Sequence, residues 1–410
     1  MKIAVFNLGC KVNQYECDVI AEKLFFDGHT VSQKLEYADI YILNTCAVTA
    51  EAERKSRQAV ARCLSFNRNA KIIVMGCASQ NHPDSFQKDG VIYVSGVTDK
   101  LSVPEHISDQ RFSKNIADLP LKYEEMNLLQ PHRTRAFVKI QDGCNHFCSY
   151  CIIPFLRGRS RSRDLNQIVR EIEYLSKQTN EIVLTGIDVM DYGKDIGYTL
   201  TDLIQALRHI DVRLRLSSVY AEKISEELLD ALFSLKHFCP HFHLSLQSGD
   251  DQVLRDMNRH YTPDEYHSKI ELIRKYNDNA GITTDIIIGY PTETKKAFEN
   301  TLRFAENEKF SDLHIFPFSS RTGTVAAKLK PISSEIMKER KRKITQLKET
   351  LKTSFLEKNI LVPQRILIEE KRGDYFAGYS ENYIKIYTQK EGDILTVTPS
   401  KIYQDGLKEE

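Results

Sequence analysis

Apolar and polar positions alternate through residues 1–107 in a rhythm that predicts strand, helix, strand. Short apolar runs at 3–8, 39–44, 71–75 and 91–94 are separated by amphipathic stretches at 12–26 and 51–66. That order is the βαβα pattern of a parallel, doubly wound sheet. Segment 108–134 breaks the rhythm: it is polar, mixed in charge and contains Pro120 and Pro131, so it reads as a linker. From 135 the alternation resumes with six apolar runs, at 136–140, 181–184, 213–219, 241–246, 283–288 and 312–317. Amphipathic stretches at 166–177, 200–210, 225–235, 263–276 and 295–308 lie between or after them. Six βα units are too few to close an eight-stranded barrel, so an open partial barrel is expected, with reactive groups on the loops after its strands. A basic helix over 335–352 follows, and then short strands at 365–370, 375–379, 383–387 and 394–399, broken by Gly373, Gly378 and Gly392. The pattern therefore predicts an α/β multidomain chain: a Rossmann-like domain at 1–107, a linker at 108–134, an open (β/α)6 partial TIM barrel at 135–354 and a small β-barrel at 355–410.

Net charge adds little, because 57 Lys and Arg offset 56 Asp and Glu; any nucleic-acid binding must come from local patches. The chain begins without a charged-then-apolar leader, and no apolar stretch approaches ~18 residues, so a cytoplasmic protein with no membrane contact is expected. Nine cysteines are an odd number for a disulfide framework, and in a reducing compartment clustered cysteines point to metal or redox chemistry.

The densest cluster is Gly143-Cys144-Asn145-His146-Phe147-Cys148-Ser149-Tyr150-Cys151, directly after the first strand of the central unit. Three thiolates from one short loop suit three irons of a cubane cluster, leaving the fourth iron open to another ligand. Structural zinc is the competing reading and needs a fourth ligand, for which His146 is the candidate. The spacing itself resembles the radical S-adenosylmethionine signature, in which the open iron takes the amino and carboxylate groups of that cofactor. A second regularity lies upstream: three apolar runs end in small residues and then in Cys10, Cys46 and Cys77. In a parallel sheet those ends share one edge, the edge that binds ligands, so three thiols distant in sequence are expected to converge. Small cysteines filling tight turns are the plain alternative. Cys17, Cys63 and Cys239 lack the pattern and read as structural.

With both cysteine sets in place, the chain resembles the methylthiotransferase family from end to end. The resemblance implies a cluster-bearing N-terminal domain, a radical core and a C-terminal β-domain of the TRAM type. Leu8-Gly9-Cys10-Lys11-Val12-Asn13-Gln14-Tyr15-Glu16, Asn44-Thr45-Cys46-Ala47-Val48-Thr49 and Arg54-Lys55-Ser56-Arg57-Gln58 look most like the branch that modifies threonylcarbamoyladenosine next to the tRNA anticodon. Gln141-Asp142-Gly143-Cys144, the Arg157–Arg163 stretch, Leu244-Ser245-Leu246-Gln247-Ser248-Gly249 and Phe316-Pro317-Phe318-Ser319 add to it. Three segments depart from the family: Thr292 replaces a usual glycine, Tyr220-Ala221 a usual Glu-Pro, and Ile187-Asp188-Val189 a segment that commonly carries histidine.

The family's chemistry uses two [4Fe-4S] clusters, here on Cys10, Cys46 and Cys77 and on the catalytic set Cys144, Cys148 and Cys151. One S-adenosylmethionine methylates a sulfur at the first; a second is cleaved reductively at the other, and its radical takes hydrogen from C2 of the adenine. Such a C–H bond is too strong and too weakly acidic for acid–base catalysis. Tyr150, Thr185, Gly186, Ser217, Gln247 and Asp285 are the candidate cofactor-binding residues, most of them at strand ends facing one mouth. Expected partners are the tRNA anticodon stem-loop, a sulfur donor, and a reductase or a flavodoxin or ferredoxin as electron donor. For RNA, the sequence offers Arg157, Arg159, Arg161 and Arg163 beside the radical loop, Lys338, Arg340, Lys341, Arg342 and Lys343 on one helix, and Arg365, Lys371, Arg372 and Lys385 among Tyr375, Tyr379, Tyr383 and Tyr387. Competing functions are methylthiolation of isopentenyladenosine in tRNA or of a ribosomal-protein aspartate, and a non-catalytic iron–sulfur RNA-binding protein. A cobalamin-dependent radical methylase would need an Asp-x-His-x-x-Gly loop, which residues 1–107 lack.

Overall fold

The computed structural model describes residues 1–131 and 133–410; His132, inside the expected linker, lies outside the described residues. The first unit is a six-stranded sheet in the order Thr30–Ser32, Lys2–Asn7, Ile40–Thr45, Lys71–Gly76, Val91–Ser95, Ser113–Asn115. Every pairing in it is parallel. Period-2 alternation explains its two covered faces. Ile3, Val5, Ile40, Ile42, Ile73 and Met75 pack with Cys17, Ile20 and Leu24 of helix Lys11–Phe26. Their neighbours Ala4, Tyr41, Leu43, Ile72 and Val74 pack on the other side with Ala59, Val60 and Cys63 of helix Ala50–Phe66. The strand order reverses between Lys2–Asn7 and Ile40–Thr45, and the crevice above such a switch point is where doubly wound sheets bind ligands.

The six expected barrel strands are present: Arg135–Lys139, Glu181–Thr185, Arg213–Leu216 continued by Ser218–Val219, His241–Gln247, Gly281–Ile288 and Asp312–Pro317. They pair in parallel in chain order, with the third strand interrupted at Ser217. The sheet is open, as the count of βα units implied.

The segment read as a linker is more engaged than its polarity suggests. Ser113–Asn115 adds an edge strand to the first sheet. Met126 and Leu128 are buried in the barrel's core, and the Tyr15 hydroxyl donates to the Met126 carbonyl.

The basic helix runs from Ser334 to Lys358. The C-terminal sheet has six strands rather than the four expected, since Lys401–Tyr403 and Gly406–Lys408 extend it. Tyr383 stands outside its strand, in a turn with φ +71°. This sheet docks on the amino-terminal end of the barrel through Glu181, which is fully buried and ion-paired to Arg135, Arg213 and Arg215. Arg215 donates onward to the carbonyls of Ser380 and Glu381. No helix among the described residues is long and apolar enough to cross a membrane.

Candidate functional site

The loop carrying Cys144, Cys148 and Cys151 is shaped by its backbone. Gly143 has φ +74°, and a Cβ there would stand 2.0 Å from the Arg159 carbonyl oxygen, so only glycine fits. The Gln141 amide donates to the carbonyls of Asp142 and Gly143 and to Ser160 Oγ, while its oxygen accepts from the Asp188 N–H. On the far side, Asn258 Nδ2 donates to the carbonyls of His146 and Phe147, and Ser149 N–H to that of Met257. A loop pinned from both sides presents its thiols in fixed positions. Burial pushes the Cys144 thiol up to about 11 and that of Cys151 to about 12. Such thiols stay protonated unless a cation draws off the proton, which a bound metal does. Arg259 Nη1 lies 3.5 Å from Cys148 Sγ.

His146 is not positioned as a fourth ligand. Its Nε2 is 2.9 Å from Asp188 Oδ2, and its ring stacks on Tyr220 at 4.1 Å. Tetrahedral zinc, about 2.3 Å from each sulfur, needs sulfurs about 3.8 Å apart. Among the described residues the one trio of His, Cys, Asp or Glu whose ligand atoms lie within 4.8 Å of one another is His243, Asp285 and His314. In neither cysteine set, therefore, do all three sulfurs stand as close as one tetrahedral ion requires.

Cys10, Cys46 and Cys77 stand where three neighbouring strands end, across the switch point. Cys10 caps helix Lys11–Phe26, Cys46 follows strand Ile40–Thr45, and Cys77 opens the short helix after Lys71–Gly76. The three thiols are close enough to influence one another electrostatically, and the Cys46 thiol is pushed up to about 12, first by burial and then by its two neighbours. Gly76 at φ +108° lets this turn pass Asn44, whose Oδ1 a Cβ would meet at 2.5 Å.

Between the two cysteine sets runs a buried ionic network that sequence reading missed. Arg157, fully buried, donates from Nε to Cys77 Sγ at 3.2 Å and from Nη2 to Asn13 Oδ1 at 3.2 Å. Its Nη1 pairs with Glu16 and with Asp142. Asn13 Oδ1 also accepts from the Cys10 thiol at 3.2 Å. Burial pushes Glu16 up, but Arg157, Lys100 and Lys139 outweigh it and hold the carboxyl well below the usual range. Ile152, Ile153 and Leu156, just after the radical loop, share a core with Ala47, Cys77 and Ala78. The first sheet's ligand edge therefore sits against the radical loop.

The six candidate cofactor-binding residues fall into two cavities that share Asp285. Tyr150, Gln247 and Asp285 line one of about 180 Å³, together with Val48 and Thr49 from the loop after strand Ile40–Thr45. Thr185, Gly186, Ser217 and Asp285 line another of about 400 Å³, which reaches Cys10 and Lys11. Ser217 Oγ is buried without a hydrogen-bond partner among the described residues. The departing residues also have defined places: Tyr220 packs between His146 and the Arg259 guanidinium, Asp188 pairs with His146 and Lys223, and Thr292 Oγ1 donates to Asp256.

The arginine stretch corrects the expectation of an RNA-facing patch. Arg161 and Arg163 turn inward like Arg157, to Asp142 and to Glu125 and Glu171, and of the four only Arg159 reaches solvent. Arg340 is likewise buried against Glu293, whereas Lys338, Lys341 and Arg342 are exposed. Lys385 and Tyr387 are buried in the C-terminal sheet.

Comparison with known proteins bears on this geometry. Residues 138–305 match the Radical SAM superfamily, which implies S-adenosylmethionine and a [4Fe-4S] cluster as cofactors, and residues 2–96 match the uncharacterized protein family UPF0004. The threonylcarbamoyladenosine tRNA methylthiotransferase MtaB of Aquifex aeolicus is 37% identical over 96% of this chain and 97% of its own. A tRNA-2-methylthio-N(6)-dimethylallyladenosine synthase of Dictyoglomus thermophilum is 32% identical over 96% of this chain and 94% of its own. The radical S-adenosylmethionine methyltransferase TsrM of Kitasatospora setae, solved with cobalamin and a [4Fe-4S] cluster, superposes with a TM-score of 0.54 at 15% identity, over 77% of this chain and 74% of that one, a likeness of fold alone. With end-to-end relatives of this kind, the chain belongs to the methylthiotransferase family of radical S-adenosylmethionine enzymes.

Proposed function

We propose that the protein adds a methylthio group to C2 of N6-threonylcarbamoyladenosine beside the anticodon of tRNA, using two [4Fe-4S] clusters. Cys144, Cys148 and Cys151 are the ligands of the radical cluster, and Cys10, Cys46 and Cys77 those of the auxiliary one. Bound there, the clusters and S-adenosylmethionine supply the one-electron chemistry and the sulfur that the protein's side chains lack. The protein's own part is placement. The Asp256–Asn258 turn and Gln141 fix the radical loop. Tyr150 and Gln247 line the small cavity beside that loop, suited to the nucleoside part of the cofactor. Val48 and Thr49 add to its wall, with the Ala50 N–H bonded to Ser319 Oγ at 2.9 Å.

The observation that carries this reading is Arg157, whose side chain reaches Asp142 at the root of the radical loop and donates to a thiol of the other triad. Sulfur insertion needs the two centres in one enclosed space, and a buried guanidinium joining them supports that. Exposed Lys338, Lys341 and Arg342 and the half-buried Tyr375 and Tyr379 form the RNA-facing surface, and reduction and sulfur come from separate donor proteins. Nucleoside analysis of tRNA from a deletion strain tests the reading. Loss of methylthio-threonylcarbamoyladenosine, restored by the gene and not by a Cys144→Ala variant, is expected; loss of the methylthio-isopentenyl nucleoside instead would overturn it.

A further inference from the structure

The lumen of the open barrel is suited to an anion, and it opens beside Cys10. The 400 Å³ cavity runs from Cys10 and Gly186 at the strand ends down to His241 and Tyr383 near the C-terminal sheet. Its permanent charge is lopsided: Lys11 and Arg215 line it against one carboxylate, Asp285, with the His243 and His314 rings beside it. That carboxylate is already answered, its Oδ1 lying 3.1 Å from His243 Nε2 and 3.4 Å from His314 Nδ1. Arg215 is committed to Glu181 and to the carbonyls of Ser380 and Glu381. Lys11, exposed at the mouth of this cavity, has no hydrogen-bond or ion-pair partner among the described residues. It is also the first residue of helix Lys11–Phe26, where a cation opposes the helix dipole, so helix stability does not account for it. Two further polar atoms, Ser217 Oγ and His241 Nδ1, are buried in the same lumen without hydrogen-bond partners among the described residues.

We propose that this lumen, whose Ser217 and Asp285 the sequence offered as cofactor contacts, is instead the subsite for the N6 substituent of the target adenine, with Lys11 receiving its carboxylate and Ser217 and Asp285 meeting its hydroxyl and ureido N–H groups. The inference rests on the reading that the substrate is threonylcarbamoyladenosine. That substituent carries a carboxylate, a hydroxyl and a ureido N–H. A dimethylallyl group carries none and would leave the buried Ser217 hydroxyl without a partner while giving nothing to Lys11 at the mouth, and a polar site rejects an apolar analogue on that ground. Because Cys10 and Lys11 are consecutive, gripping the carboxylate would hold the adenine at a set reach from the proposed sulfur site. The His243, Asp285 and His314 trio is compact enough for a divalent cation, but an ammonium and a guanidinium share its cavity and disfavour one.

Binding of anticodon stem-loops to the reconstituted holoenzyme, followed by fluorescence anisotropy, tests the subsite. The probes carry threonylcarbamoyladenosine, its side-chain carboxamide, or dimethylallyladenosine. The acid is expected to bind about tenfold or more tightly than the amide. Lys11→Met should bring that ratio close to one, and Lys11→Arg should retain it. Equal binding of acid and amide by the unaltered enzyme overturns the proposal without recourse to any variant. So does an undiminished ratio in Lys11→Met that keeps its iron, or a stoichiometric zinc or manganese that is lost in His314→Gln. An enzyme that discriminates acid from amide yet forms no methylthio product would sink the activity and spare the subsite; product formed without discrimination would do the reverse.

Discussion

Replacing Arg157 with methionine tests whether the ionic network between the first sheet and the barrel holds the two cysteine sets together. The side chain is fully buried, 3.1 Å from Glu16 Oε1 and 3.0 Å from Asp142 Oδ2. Removing one partner of a buried pair costs about 3–5 kcal/mol, because the charge left behind is stranded away from water. Glu16 would keep Lys100 and Lys139, and Asp142 would keep Lys139 and Arg161, so the lower end, about 3 kcal/mol, is expected. Net stabilities are only about 5–15 kcal/mol, so the loss is large. A chain of several units does not unfold in one step, which makes a local readout the right one. Amide hydrogen exchange of helix Lys11–Phe26 in the reduced apoprotein reports on the helix that carries Glu16, Asn13 and the Cys10 cap. Arg157→Lys keeps a charge but loses the planar fork that reaches Glu16, Asp142 and Cys77 at once, so it should recover only part of the loss. A change below about 0.5 kcal/mol in that helix for Arg157→Met would refute the reasoning, since surface substitutions do as much.

Three other outcomes are expected. Anaerobically reconstituted protein should hold about eight irons, and alanine at Cys10, Cys46 and Cys77, or at Cys144, Cys148 and Cys151, should each remove about four; zinc in place of iron would contradict both sites. Burial raises Glu181, but Arg215, Arg135 and Arg213 prevail and hold it at about 2 against an ordinary 4.5. A depressed carboxyl stabilises fully above the unfolded value and loses that contribution as pH falls toward the folded one. Docking of the C-terminal sheet should therefore weaken between pH 4.5 and about 2, measured by exchange of strand Tyr375–Ser380 in apoprotein, and Glu181→Gln should flatten the profile. Alanine at exposed Lys338, Lys341 and Arg342 should weaken tRNA binding and lower the salt slope by about 0.7–0.9 for each phosphate no longer neutralised. Arg161→Ala should leave that slope unchanged, because its guanidinium faces Asp142.

What sequence could and could not disclose follows from range. Apolar periodicity is local, and it located both parallel sheets and the shared edge of Cys10, Cys46 and Cys77, because each of those strands is apolar on both faces and ends abruptly. Ser113–Asn115 escaped because an edge strand with all three side chains exposed needs no apolar residue. Charge is a different matter. Arg157, Arg161 and Arg163 form a basic run in sequence, yet their partners Glu16, Asp142 and Glu171 come from three separate segments, and only folding decides which cations face water. The clue available was on the other side of each pair. Helix Lys11–Phe26 buries Asn13, Gln14, Glu16, Asp18 and Glu22 along with its apolar residues, and acids on a helix that must pack on all sides call for buried cations. A chain of near-zero net charge thus hides part of its positive charge in the seam between its two cysteine sets. The cations left for RNA are fewer than composition suggests: beside the radical loop that the sequence marked as basic Arg159 is exposed, and others lie on the Ser334–Lys358 helix and the C-terminal sheet.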